Sequence, residues 1–255
     1  MKSYFMIVQF IFVPLIIFSC AKKNPIESNV SEVKFEVCIS YDEIFKDTEQ
    51  GGPDRVEDFD LNSKKLYIHP TGSFGLYQYD FTSKELKLLT IYSSGNYIAH
   101  DSIYVFYEIS GYNIFRYNLL KDTTDLQLDI VGLSYTNIYG MDVYHHILFV
   151  KLYSQNTKNS VLAKFDLEGN FIASIPYARR SFFMAIHSEI EYSIFFSDGD
   201  EARLSRFDLS TNSFLETRLL PTENSDGIRI YENKFYFTDL KRRMIGIMPI
   251  SELNN

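Results

Sequence analysis

The chain lacks tryptophan altogether, and it has little cysteine, glycine or proline. Its 255 residues include 2 Cys, 12 Gly and 7 Pro. So few cysteines exclude a disulfide-dense scaffold, and so few glycines exclude a collagen-like chain. Because 45% of the residues are hydrophobic, the sequence is also too apolar for an intrinsically disordered protein.

Positive charge is in short supply as well, whereas aromatic side chains are abundant. There are 25 Lys and Arg against 33 Asp and Glu, which gives a formal net charge of −8. Nucleic-acid binding calls for concentrated basic side chains, so nucleic acid is not expected as a partner. The 22 Phe and 19 Tyr favour β-strands. The length and composition therefore predict one all-β domain.

Residues 1–19 are predicted to be a signal peptide. Lys2 precedes an apolar segment at residues 4–18, and the small residue Ser19 follows it. A basic start, an apolar segment of this length and a small residue are typical of a secretory signal. The apolar segment is shorter than the roughly 20 residues that a membrane span needs.

The end of this segment, Ile17-Phe18-Ser19-Cys20, resembles the bacterial lipobox. The resemblance implies that Cys20 is acylated, so that the protein is anchored in a membrane. Residues 20–31 would then be a tether and residues 32–255 the folded domain. By resemblance to lipoprotein sorting rules, the neutral Ala21 implies the outer membrane, and the periplasmic face is favoured over the cell surface. The alternative is an uncleaved anchor or an ordinary secretory signal with a chance cysteine.

An internal repeat organises the rest of the chain. A three-residue apolar-polar-aliphatic element recurs, and an apolar run precedes each copy. The copies lie at residues 79–81, 117–119, 165–167, 207–209 and, in degenerate form, 248–250. A spacing of about 40 to 45 residues with four short strands per unit is the pattern of a β-propeller blade.

The two ends of the repeat predict how the ring closes. The fifth unit supplies strands at residues 228–231, 234–238 and 245–250, and then the chain ends. Residues 33–39 alternate apolar and polar side chains and belong to no unit. We expect this N-terminal strand to complete the last blade and so to cover an exposed edge, giving five four-stranded antiparallel blades. The alternative is a six-bladed propeller that has lost material, with residues 41–50 covering the gap.

Two stretches of the repeat carry a family resemblance. Residues 51–81, beginning with Gly51-Gly52-Pro53, and the strand-turn-strand element at residues 164–171 resemble the six-bladed NHL/TolB-like propeller lipoproteins of Bacteroidetes. The resemblance implies a propeller fold and an envelope location, and it implies no particular activity. This chain departs from the family in being shorter and in having one Gly-Pro element.

Motifs for catalysis and for metal binding are scarce. The sequence has no nucleophile elbow, phosphate-binding loop or dinucleotide fingerprint. The five His have no helical zinc spacing, and the acidic run at residues 198–201 is explained by turn chemistry. We therefore expect no metal and no cofactor. Cys38 is interpreted as a small apolar side chain rather than a reactive thiol.

The expected ligand site is the central channel that inner strands surround. On position alone, the candidate ligand-binding residues are Tyr97, Tyr139, His187 and Arg229. The basic clusters at residues 179–180 and 241–243 are either exposed loop charge or contacts for an anionic partner.

The sequence favours a lipid-anchored envelope propeller that binds or scaffolds a protein or small ligand without catalysis. The alternative is a carbohydrate-active enzyme, because propeller glycosidases use opposed carboxylates on inner strands. The candidate acids for that alternative are Asp58, Asp142 and Asp226. Sugar sites usually also employ tryptophan, which this chain lacks, although tyrosine can stack too.

Overall fold

The computed structural model describes residues 36–46, 55–70, 75–92, 95–130, 135–196, 202–220, 222 and 225–254. The predicted signal peptide, Cys20, the tether and the acidic run at 198–201 lie outside these residues. Within the described ranges, no helix is both long and apolar enough to cross a membrane.

The chain forms five antiparallel blades preceded by one strand and a short helix. Strand β1 (Glu36–Ser40) and helix α1 (Tyr41–Ile44) come first. Blade 1 contains β2 (Val56–Leu61), β3 (Lys65–Pro70), β4 (Leu76–Asp80) and β5 (Leu86–Thr90). Blade 2 contains β6 (Ile98–His100), β7 (Tyr104–Ile109), β8 (Asn113–Asn118) and β9 (Thr123–Asp129). Blade 3 contains β10 (Asn137–Tyr144), β11 (Ile147–Ser154), β12 (Asn159–Asp166) and β13 (Phe171–Tyr177).

Blades 4 and 5 depart from this simple order. Blade 4 contains β14 (Phe182–His187), β15 (Ile190–Phe196) and β16 (Ala202–Asp208). Its outer strand is split into β17 (Ser213–Phe214) and β18 (Arg218–Leu219), which both pair with β16. Blade 5 contains β19 (Ile228–Tyr231), β20 (Lys234–Asp239) and β21 (Met244–Pro249), and a 3-10 helix (Ile250–Asn254) follows.

The predicted ring closure is confirmed. β1 pairs antiparallel with β21, with Glu36 opposite Ile247 and Ser40 opposite Met244, so the last blade has strands from both ends of the domain. The inner strands β2, β6, β10, β14 and β19 lie side by side, and β19 lies beside β2. The expectation of five blades is therefore correct, and the six-bladed alternative is wrong.

The tight turns that join the first two strands of blades 3 and 5 contain no glycine. In the β10–β11 turn, His145 and His146 have φ of 51° and 60°. Two consecutive positive φ values match the right-handed twist of the flanking strands. Glu232 and Asn233 form the β19–β20 turn in the same way, with φ of 49° and 60°. The two adjacent histidines are therefore turn residues.

Apolar side chains fill the spaces between blades. The largest cluster combines side chains from blades 2 to 5, including Phe106, Leu148, Ile194 and Phe237, all of which are fully buried. The ring of Phe237 lies close against Gly246, where a Cβ would stand 2.5 Å from the ring's Cζ. This close packing uses the aromatic residues that the composition supplies, since a single four-stranded blade cannot bury both of its faces.

Candidate functional site

The five inner strands surround the ring axis and run in the same direction. Asp58 in β2 contacts Ile98 at the start of β6, and Asp60 contacts His100 at its end. The ring therefore has two distinct ends. We call the end where inner strands begin the mouth and the end where they finish the base.

Arg229 in β19 occupies the centre of the ring. Its side chain is among the largest that are almost fully buried in the described structure. Nη1 donates to the carbonyls of Met184, at 2.6 Å, and Ile228, at 2.7 Å, and Nη2 donates to the carbonyl of Ile98. The guanidinium thus contacts the inner strands of blades 2, 4 and 5 at once.

Three carboxylates face this positive charge. Nη2 of Arg229 lies 2.9 Å from Oδ2 of Asp58, and Nε lies 3.5 Å from Oδ2 of Asp60. Asp142 interacts with Arg229 electrostatically. We call Arg229 with Asp58, Asp60 and Asp142 the central cluster. Because one cation faces three acids, the cluster carries an excess of negative charge when all are ionised.

Each carboxylate of the central cluster joins two neighbouring blades. A backbone N–H in the next inner strand donates to the side chain, and so does the N–H of the residue that follows the acid. The donors from the next inner strand are the N–H groups of Ile98 to Asp58 (3.0 Å), of His100 to Asp60 (2.7 Å) and of Ile186 to Asp142 (2.6 Å). The acids therefore stabilise blade packing, and their oxygens are largely occupied.

Burial shifts the ionisation of these acids. It raises the pKa of Asp58 to about 7, although Arg229 and backbone donors oppose the shift. Burial likewise raises the pKa of Asp142 to about 7 against the effect of Arg229. Burial also works against ionisation of Asp60, but His100 and Arg229 beside it lower its pKa. Asp60 is therefore the acid that holds its charge.

His100 extends the central cluster toward the base. Its Nδ1 lies 3.4 Å from Asp60, and its Nε2 lies 3.2 Å from the side-chain amide of Asn62. Burial lowers the pKa of His100, but the neighbouring Asp60 outweighs burial and raises it overall. The carboxylate of Asp60 thus holds the imidazole of His100 next to the central cluster and favours its protonated form.

One side of the mouth carries paired charges. Arg55, just before β2, contacts the carboxylate of Asp226, just before β19, and its Nη2 lies 3.7 Å from Glu57. Asp226 is buried, and burial raises its pKa although Arg55 opposes the shift. The charge of Arg55 is therefore matched within the protein.

The other side of the mouth carries an arginine on aromatic rings. The guanidinium carbon of the exposed Arg180 lies 5.3 Å from the ring centroid of Tyr139, 5.8 Å from that of Tyr153 and 5.4 Å from that of Phe182. Tyr139 stacks on Tyr153 at 5.3 Å and tilts against Phe182 at 5.0 Å. We call these three rings the aromatic shelf.

Tyr97 lies beside the aromatic shelf. Its ring packs edge-on against Phe183 at 5.5 Å. Burial raises the pKa of Tyr97 well above its usual value, and Tyr139 is among the nearby groups that add to the shift. The predicted ligand residues Tyr97 and Tyr139 therefore share the mouth.

The other two predicted ligand residues lie elsewhere along the axis. Arg229 is enclosed in the central cluster, and His187 ends β14 at the base. Of the candidate acids, Asp58 and Asp142 meet at Arg229, whereas Asp226 precedes its inner strand and pairs with Arg55. The predicted residues are thus divided among three levels of the ring.

Several residues of these levels were not identified from the sequence. Asp60 shares a side of β2 with Asp58, and the two-residue period of a strand was the available signal. The sequence analysis did not single out Tyr153 or Phe182, because nothing in their local sequence pointed to a contact with Arg180. Their meeting depends on how blades 3 and 4 stack.

A second buried ionic cluster lies between blades 3 and 4. Nζ of Lys151 donates to Glu191 at 2.7 Å and to Ser181 at 2.9 Å, and the hydroxyl of Tyr177 donates to Glu191 at 2.8 Å. Both charged side chains are fully buried. Burial lowers the pKa of Lys151, although Glu191 opposes the shift. Without access to solvent, this cluster serves packing.

Two further histidines and the arginines of the basic cluster at residues 241–243 have local partners. His69 is buried with its Nδ1 2.8 Å from the hydroxyl of Tyr92. His146 is exposed and lies 2.9 Å from Asp101. Arg242 and Arg243 pair with Asp239 and Asp42, at 3.2 Å and 3.3 Å. In the described part of the chain, no three His, Cys, Asp or Glu are placed to hold a metal ion.

Comparison with known proteins supports the fold and leaves the family open. No protein-family model matches the sequence. No curated protein matches it either. Solved structures do match, but their sequence identities to this chain are so low that the likeness supports the fold and nothing more.

Three of these structures illustrate the likeness. Myxococcus xanthus glutaminyl cyclase has a TM-score of 0.55 and 10% identity, covering 76% of this chain and 89% of that one. A nidogen/laminin complex gives a TM-score of 0.52 and 14% identity, covering 76% and 75% of the two chains. Kuenenia stuttgartiensis hydrazine synthase gives 0.52 and 12%, covering 75% of this chain. This chain spans 56% of the hydrazine synthase chain.

Proposed function

We propose that this five-bladed propeller is a lipid-anchored envelope protein that binds a protein or small ligand at its mouth without catalysis. The observation that carries the proposal is the contrast in accessibility along the axis. The acids suited to catalysis are buried and bonded to neighbouring blades, whereas Arg180 is exposed and Tyr153 and Phe182 of the aromatic shelf are half-buried beside it. Binding needs such an exposed surface, while acid catalysis needs an acid that a substrate can reach.

The fold itself does not choose between binding and catalysis. The structural neighbours include a protein named as an enzyme and a complex of two proteins. One fold commonly hosts unrelated functions, so the argument must come from side chains. In this chain the charged side chains of the centre have structural partners, whereas Arg180 at the mouth is exposed.

The anchor is tested at Cys20. Cells that express the full chain are grown with a labelled fatty acid, and the membrane fraction is compared between the wild type and Cys20→Ala. We expect the wild type to carry the label and to need detergent for extraction, and the variant to lose both. Label that persists in Cys20→Ala would refute the assignment of Cys20.

One observation favours a second candidate, a carbohydrate-active enzyme. The pKa values of Asp58 and Asp142 are raised to about 7, which suits a general acid. The test is hydrolysis of a panel of nitrophenyl glycosides by the detergent-extracted protein, with Asp142→Asn as the matched variant. Hydrolysis that Asp142→Asn abolishes would establish the enzyme and overturn the non-catalytic proposal. We expect no hydrolysis above the level of the variant.

A further inference from the structure

Resting on the proposed binding function, we infer that the mouth binds a monoanionic carboxylate attached to an apolar or aromatic body. Arg180 would receive the carboxylate, and the aromatic shelf would contact the body. The class includes free organic acids and the C-terminal carboxylate of a peptide.

The first step is the electrostatic state of Arg180. Most arginines of this acidic protein have a carboxylate partner, as Arg55, Arg116 and Arg229 do. Among the described residues, Arg180 instead contacts three rings and has no carboxylate within salt-bridge distance. An exposed, unmatched guanidinium is unusual in a chain with a formal net charge of −8.

The second step is how the rings position this side chain. All three centroids lie within the roughly 6 Å at which ring faces attract a cation. A planar guanidinium held against ring faces still has N–H donors for a carboxylate, which it binds in a two-pronged geometry. The stacked rings thus restrict the side chain before any ligand arrives, which lowers the entropic cost of binding.

The third step limits the charge of the ligand. The neighbouring Arg179 is a cation too, but its guanidinium donates to Ser205 at 3.0 Å and packs over Phe214 at 4.4 Å in blade 4, whereas that of Arg180 lies over Tyr139 and Tyr153 of blade 3. Arg55 across the mouth is matched by Asp226. The aromatic shelf itself therefore presents one guanidinium, which suits one negative charge.

The fourth step concerns the body of the ligand. Tyr139 is buried, whereas Tyr153 and Phe182 are half-buried residues beside the exposed Arg180, so the shelf is not wholly enclosed. Apolar groups gain about 25 cal/mol for each Å² that such rings remove from water. A ligand with an apolar body therefore gains from the shelf, whereas acetate gains only the ion pair.

The experiment is calorimetric titration of the detergent-extracted full chain with N-acetylphenylalanine and with its neutral amide at equal ionic strength. For the wild type we expect the acid to bind with a Kd of about 1–10 mM, at least about 10-fold more tightly than the amide. Arg180→Ala should abolish this preference. Lys64→Ala removes an exposed cation near the base and should retain it.

A second pair of probes separates the two sources of the carboxylate. Ala-Ala-Phe with a free C-terminus is compared with its C-terminal amide. Tighter binding of this peptide acid than of N-acetylphenylalanine would assign the site to chain ends. Weaker binding would assign it to small organic acids. Both outcomes support a carboxylate site.

Three results would overturn the inference. These are no binding of either acid up to about 20 mM, equal binding of acid and amide, and an acid preference that survives in Arg180→Ala. Thermal unfolding of each variant shows that it is folded. None of these results would by itself remove the proposed function, which glycoside hydrolysis and lipid labelling test separately.

Discussion

Arg229 and Arg180 lie in the same ring of blades but in opposite surroundings. Arg229 is 2% exposed and donates to backbone carbonyls and a carboxylate. Arg180 is exposed and lies over three aromatic rings. The comparison teaches that a charge at the axis of a propeller is not by itself a binding site. What matters is whether the protein already supplies its partners.

The largest expected effect follows from removing the cation at the centre. Arg229→Met leaves Asp58, Asp60 and Asp142 buried without their counter-charge. Uncompensated buried charge costs about 3–5 kcal/mol, and with three acids we expect a loss of about 5 kcal/mol in the free energy of unfolding. Urea denaturation measures it. A loss below about 1 kcal/mol would show that the central cluster contributes little to blade packing.

The second buried cluster tests whether this cost is particular to the axis. Lys151→Met leaves Glu191 fully buried without its cation, and we expect a loss of about 3 kcal/mol. The double variant Lys151→Met, Glu191→Gln should lose less than the single variant, because no unpaired charge remains. Urea denaturation of both variants checks the order. A double variant less stable than the single one would contradict the electrostatic explanation.

The acids of the central cluster also predict how stability depends on pH. The pKa values of Asp58 and Asp142 are about 7 in the folded protein, above the usual value of about 3.9 in an unfolded chain. The folded state therefore binds more protons between about pH 4 and 7, so its stability falls as pH rises through that window. The raised pKa of His100 acts in the same direction as pH rises through it.

This pH dependence has a matched variant. Asp142→Asn removes one of the titrating acids but keeps a polar side chain of similar size. We expect wild-type stability to fall by about 3–4 kcal/mol between pH 5 and 6.5, since two acids titrate, and the variant to fall by about half as much. Thermal unfolding in buffers across this range measures both. Equal slopes would show that Asp142 stays ionised in the folded protein.

The smallest expected effect lies at the mouth. Arg180→Ala removes exposed cation–π contacts, which contribute about 0.5–1 kcal/mol. We therefore expect a loss below about 1 kcal/mol in the free energy of unfolding, measured by urea denaturation. Arg180→Lys should retain part of the contact. A loss above about 2 kcal/mol would make Arg180 a structural residue like Arg229.

The fold could be predicted because its signals are local. The apolar-polar-aliphatic element marks one strand of each blade, and the alternation at residues 33–39 marks a strand with no unit of its own. Pairing of β1 with β21 follows once an unfilled edge is recognised. The number of blades was then a matter of counting strands.

The arrangement of the axis could not be predicted in the same way. Arg229 and Asp58 are 171 residues apart and meet only because the ring closes. The sequence identified both as inner-strand residues, but it did not show that they neutralise each other. Likewise, Arg180 and Tyr153 come from different blades, so their contact depends on how those blades stack.

The most direct test of the account is urea denaturation of Arg229→Met and Arg180→Ala beside the wild type. The central claim is that the centre holds the ring together while the mouth is free to bind. We predict that Arg229→Met loses at least about 3 kcal/mol more than Arg180→Ala. Equal losses in the two variants would contradict the claim.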